Sequence, residues 1–141
     1  MFQTMRNPKS AYATVGIDMR VETASPHKLV LMLFDGAILA VAQAAAYAKN
    51  GDKKSMSESI MKASAIISQG LRDSLDATAD ADLVSRLSAL YDYICVRLQF
   101  ANIRGDAAIF AEVSKLLEEL RAAWEEIAND PAVVSSNKSA A

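Results

Sequence analysis

The residues in this chain whose types could do chemistry are few, and their spacing argues against catalysis. His27 is the only histidine. A Ser-His-Asp arrangement would have to be built around it on the first turn of a helix, where a solvated imidazole is the simpler reading. A single histidine also excludes paired Glu-x-x-His motifs for a dinuclear carboxylate centre, and His-rich zinc sites with them. Glu118, Glu119, Glu125 and Glu126 supply neighbouring carboxylates. They lie opposite Leu117, Leu120 and Trp124 on a helix, which makes them a solvated face. Cys95 falls inside a helix and reads as a small core residue rather than a nucleophile. No Gly-rich loop is present to cradle phosphate. The chain is therefore read as a non-enzyme, with no catalytic residue, no metal site and no cofactor.

The feature that remains is apolar. Leu87, Leu90, Tyr91, Ile94, Leu98 and Ala101 recur at three- and four-residue spacing and make one face of a helix. Val96, Phe100 and Ile103 make a second row that the first face cannot also bury. A helix clothed this way is central to a bundle or offers spare apolar surface to a partner. The chain is thus read as a binding device.

The elements around that helix follow from composition and punctuation. The 141 residues are 52% hydrophobic but only 6% aromatic, so the core must be built from Ala, Leu, Ile, Val and Met. Five Gly and three Pro leave few turns, which favours a few long helices. A net charge of −2 provides no basic field for a phosphate backbone, so nucleic acid is not an expected partner. The lone cysteine rules out an internal disulfide and suits a reducing cytosol. The opening segment Met1–Lys9 lacks the apolar run of a signal peptide. The longest apolar stretch, Leu29 to Ala48, is Ala-rich and broken by Asp35 and Gln43, as in a buried helix rather than a membrane span. A cytoplasmic location is expected.

Four helices are predicted. The first begins at Ser25-Pro26, a hydroxyl cap followed by proline at the first helical position, and stops at Asn50-Gly51-Asp52. Leu29, Met32, Leu33, Gly36, Ala40, Gln43 and Tyr47 form one of its rows, and Val30, Ala37, Val41, Ala44 and Ala48 another. The second opens at Ser55-Met56-Ser57-Glu58, read as a capping box, and runs to about Leu75. The third follows a polar connection, Asp76 to Asp82, with its cap at Asp80 or Asp82, and ends at Asn102 to Gly105. Asp106 caps the fourth, whose row is Ile109, Val113, Leu116, Leu117, Leu120, Trp124 and Ile127. Short connections between helices of matched length give an all-α, antiparallel up-down-up-down four-helix bundle over 25–130. Residues 1–24 are expected to form an N-terminal arm whose Ala11, Tyr12 and Val15 share one side of a short helical element, and residues 131–141 a disordered tail. Met32 and Met61 fall on or beside core rows. Trp124 is either core or a partner anchor.

Several of these residues, taken together, resemble a known family. Tyr12, then Val21-Glu22-Thr23-Ala24-Ser25-Pro26-His27-Lys28 running into Leu33-Phe34-Asp35-Gly36, is similar to the opening of the FliS family. Gly51-Asp52, Ile66-Ile67, Leu71-Arg72-Asp73-Ser74-Leu75-Asp76, Leu90-Tyr91-Asp92-Tyr93-Ile94, Arg97-Leu98, Ala101-Asn102, Glu112-Val113 and Leu120-Arg121-Ala122-Ala123-Trp124 continue the match in order. Two departures stand out. Phe34 replaces the tyrosine usual in the family, and Asp76 to Asp82 lacks the glycines often found there.

The resemblance implies an antiparallel four-helix bundle that serves as a flagellin-specific type III export chaperone. It implies a partner, the C-terminal segment of flagellin, disordered when free, which wraps the bundle in partly helical form. Binding would prevent premature polymerisation in the cytoplasm and help delivery to the export gate. The arm, here Met5 to Met19 with Tyr12 as its anchor, would occupy part of the groove when flagellin is absent. The partner surface is expected on residues left over from the core rows: Val96, Phe100 and Ile103, with Tyr93 and Asn102 at the rim. The alternative is a regulatory or oligomerisation bundle that sequesters another flagellar protein.

Overall fold

The computed structural model describes residues 25–75 and 80–128. Four helices account for nearly all of them: α1, Pro26–Lys49; α2, Lys53–Ala65, carried on as a π-helical turn over Ile66–Leu71; α3, Ala81–Arg104; and α4, Ala107–Ala128. No strand occurs among the described residues. The expected arm, with Tyr12, and the expected tail lie outside them.

Each helix starts where a side chain can satisfy an orphan backbone donor. Ser25 Oγ accepts from the Lys28 amide, and Pro26 takes the first helical position. Asp80 accepts from the Asp82 amide and settles the start of α3. Asp106 accepts from the Ala108 amide at 2.9 Å. At α2 the expectation is corrected. The cap is Asp52, whose carboxylate accepts from the Ser55 amide at 3.1 Å, so the helix begins two residues before Ser55. The chain leaves α1 through Asn50 and the left-handed Gly51 (φ +75°), which brings Asp52 to the cap position first. The left-handed Gly105 (φ +62°) turns α3 into α4.

Contacts across the connections run start to end, so sequential helices are antiparallel. Ser57, early in α2, bonds Asn102, late in α3. Arg72, just past α2, pairs with Asp92 of α3 at 3.2 Å. Arg121, late in α4, donates to Asp35, early in α1, at 2.6 Å. α1 packs on α2 and α4, and α3 closes the ring against the same two neighbours. This is the expected up-down-up-down bundle.

The core is almost wholly aliphatic, with no buried charged or polar residue among those described. Leu29, Leu33, Ile66, Ile67, Ile94, Leu98, Val113 and Leu117 are essentially sealed from solvent. Each contributes about 1.5–3 kcal/mol relative to an exposed position. Ala37, Ala40 and Ala44 are sealed too, and their small size lets the neighbours of α1 come close. α1 is long and apolar enough to cross a bilayer, but its inward face is core of the bundle. Phe34 and Phe110, absent from the expected rows, are buried, whereas Gln43, Tyr47 and Met61 are exposed. The Phe34 ring lies wholly among core residues.

α2 does not run to Leu75 as a regular helix. It widens at Ile66–Leu71, where the Arg72 amide reaches back five residues to the Ile67 carbonyl at 2.9 Å. Ile66, Ile67, Gly70 and Leu71 all turn inward there.

Candidate partner-binding surface

α3 carries two apolar faces, and the bundle uses only one. Successive residues on an α-helix are rotated by about 100°. Tyr91, Ile94, Leu98 and Ala101 therefore share the inward face, where all four are buried. Tyr93, Val96, Phe100 and Ile103 follow one another at steps of three, four and three residues and share the opposite face. Their exposures are 44%, 49%, 42% and 79%. α2 and α4 flank α3 on either side; Val96, Phe100 and Ile103 remain largely exposed, while Tyr93 reaches over to α4. The stripe contains the spare row Val96, Phe100 and Ile103 expected from sequence, and Tyr93 extends it at its N-terminal end.

The polar groups on the α4 side converge on one carboxylate. Tyr93 Oη donates to Glu112 Oε2 at 2.5 Å, and Arg97 Nε donates to Glu112 Oε1 at 2.7 Å. The Arg97 guanidinium carbon stands 6.0 Å from the centre of the Phe100 ring, within reach of a cation–π contact. The hydrogen bond from Tyr93, then that from Arg97, holds the Glu112 carboxyl below its ordinary value. The same bonds raise Tyr93 and Arg97 above theirs. Arg97 and Glu112 both fall in stretches that carry the family resemblance, but nothing in their spacing pairs them. The bonded partners are 15 and 19 positions apart and meet only because α3 and α4 are antiparallel.

Asn102 belongs elsewhere. It is two residues, about 200° around the helix, from Phe100. Its side-chain oxygen accepts from Ser57 Oγ at 2.6 Å on the α2 side. This bond joins α3 to α2.

A second apolar feature lies on α1. Met32, Gly36, Leu39 and Ala40 line a groove of about 290 Å³ with Gln43 and Lys62, and Leu39 is 59% exposed. Gly36 and Ala40, both on the first predicted row of this helix, form part of its wall.

His27 is not the solvated first-turn residue expected. Its ring stacks on that of Trp124, centroids 4.6 Å apart and 22° from parallel, and Trp124 Nε1 donates to the His27 carbonyl at 3.1 Å. The two half-buried rings tie the start of α1 to the end of α4, so Trp124 serves the fold. Burial lowers the His27 pKa, and its Nδ1 has no hydrogen-bond partner among the described residues. Among the described residues, no carboxylate or serine engages it as a triad would. Cys95 is half-buried, its thiol 3.9 Å from the Ser64 carbonyl and shifted upward by burial. That is the opposite of activation. Glu118, Glu119, Glu125 and Glu126 are exposed, as expected. No cluster of three or more potential metal ligands occurs among the described residues.

Comparison with known proteins adds an independent line. A family model described as "Flagellar protein FliS" matches residues 8–131. The chain is 42% identical over 117 residues to the flagellar secretion chaperone FliS of Salmonella typhimurium, covering 83% of this chain and 87% of that protein. It is 37% identical to the protein of the same name from Escherichia coli, covering 88% and 91%. The Bacillus subtilis protein of that name is 34% identical, with 86% of each chain covered.

Proposed function

The chain belongs to the FliS family of flagellar secretion chaperones, and we propose that it acts in the cytoplasm as the export chaperone of flagellin, without enzymatic activity. Its ligand is the C-terminal segment of flagellin, captured before it can polymerise and presented to the flagellar export gate. The stripe Tyr93, Val96, Phe100 and Ile103 is the observation that carries this reading. A segment that folds on binding loses several kcal/mol to ordering, so its receptor must offer contiguous apolar surface in return. Apolar side chains at steps of three and four residues on a straight helix match the anchors of an incoming amphipathic helix. The groove beside Leu39 offers a second contact for a segment long enough to pass around the bundle. Tyr12, on the N-terminal arm, is assigned to the same partner surface as the group that covers it when flagellin is absent.

Calorimetric titration with the last forty or so residues of the cognate flagellin tests this reading. One-to-one binding at micromolar Kd or tighter, with a negative heat-capacity change and a gain in helicity, is expected. Absence of binding, both to the whole chain and to one lacking residues 1–19, would contradict it.

A further inference from the structure

We propose that Glu112 is a positioning residue for flagellin capture. Its carboxylate, brought from α4, holds Tyr93 and Arg97 of α3 in the arrangement that the incoming segment meets. This rests on the reading of the Tyr93–Ile103 stripe as the docking surface.

The two oxygens of Glu112 are used separately. Oε2 takes the Tyr93 hydroxyl at 2.5 Å and Oε1 takes Arg97 Nε at 2.7 Å, while the Arg97 guanidinium lies 6.0 Å from the Phe100 ring centre. One carboxylate thus fixes a first stripe residue directly and reaches a second through Arg97. Without it, an exposed tyrosine and a long arginine would be free to change rotamer, and ordering them would cost affinity when the partner docks. The backbone that carries Glu112 is held in place, because the next residue, Val113, is fully buried. A purely structural role fits less well. The Arg97 and Glu112 side chains are 31% and 35% exposed, and partly solvated ion pairs contribute little to stability. α3 and α4 are already joined by the Gly105-Asp106 turn and by core residues on both sides.

The test titrates the C-terminal flagellin segment into the native chain and into five variants: Phe100→Ala, Glu112→Ala, Glu112→Gln, Tyr93→Phe and the double Tyr93→Phe/Glu112→Ala. The melting temperature of each is recorded. Glu112→Ala is expected to weaken binding about three- to tenfold with little change in melting temperature. Glu112→Gln keeps an acceptor for the Tyr93 hydroxyl and should recover much of the loss. Tyr93→Phe should weaken binding by the native chain yet add nothing in the Glu112→Ala background, since both remove the same tether. Native affinity in Glu112→Ala while Phe100→Ala binds weakly would overturn the inference and leave the docking surface standing. Independent, additive losses from Tyr93→Phe and Glu112→Ala would overturn it as well. No binding by the native chain, or native affinity in Phe100→Ala, would overturn the docking reading and this inference with it.

Discussion

Gly70 packs against Leu33 so closely that a Cβ added to it would stand 3.0 Å from Leu33 Cδ2. This contact lets the π-helical end of α2 close on the start of α1, with Gly70 buried and Leu33 sealed in the core. Gly70→Ala would gain up to about 1 kcal/mol of helix propensity. Leu33 is sealed in the core, however, and overpacking costs about 1–3 kcal/mol. Net destabilisation is therefore expected, read as a lower urea midpoint. A raised midpoint would show that Leu33 can give way.

Two candidate caps compete at the start of α2, and the structure favours Asp52 over Ser55 with Glu58. The bond from Ser55 lowers the Asp52 carboxyl below its ordinary value, so the cap is strongest in the ionised form. Asp52→Ala should lower the melting temperature at neutral pH, and Glu58→Ala should leave it nearly unchanged. Equal effects would restore the capping box.

The architecture was legible because it is written in local signals. Ser25-Pro26, Gly51, Gly105 and Asp106 act within a turn of themselves, and the period of Leu87, Leu90, Tyr91, Ile94 and Leu98 states which side faces inward. The spare row of Val96, Phe100 and Ile103 follows from the same period. What escaped depends on tertiary contact. The π turn answers the fit of Gly70 on Leu33, 37 residues away by number. Glu112 acquires its role only when antiparallel α4 lies beside α3. Asn102 is near Phe100 in sequence, but its bond to Ser57 across α2 depends on tertiary contact. The His27 stack is not legible because its partner, Trp124, lies 97 positions further along the chain.

The His27–Trp124 stack should make that end of the bundle sensitive to acid. Burial lowers the His27 pKa below its ordinary 6.5. Above 6.5 the imidazole is neutral whether the chain is folded or not, and its contribution is complete. As the pH falls from 6.5 towards the folded-state value, the unfolded chain takes up the proton first, and stability is lost. Fluorescence of Trp124, the one tryptophan, followed through thermal melts at several pH values, should show this decline. His27→Phe should flatten it over the same range. An unchanged pH slope in His27→Phe would assign the effect to another group.

Ile103, 79% exposed, makes little contact with the bundle. Ile103→Ser should change stability by no more than about 0.5 kcal/mol. It should also lower any concentration-dependent self-association, measured by light scattering, because it removes exposed apolar surface. A larger loss of stability would mean that the stripe is part of the core.

The measurement that bears most directly on function compares the native chain with one carrying Phe100→Ala and Ile103→Ala together, both verified as folded by circular dichroism. Each is titrated with the C-terminal segment of flagellin. If α3 presents the docking stripe, the native chain binds at micromolar Kd or tighter and the double variant loses about tenfold or more. Equal affinity in the two chains, or no binding by either, would contradict it.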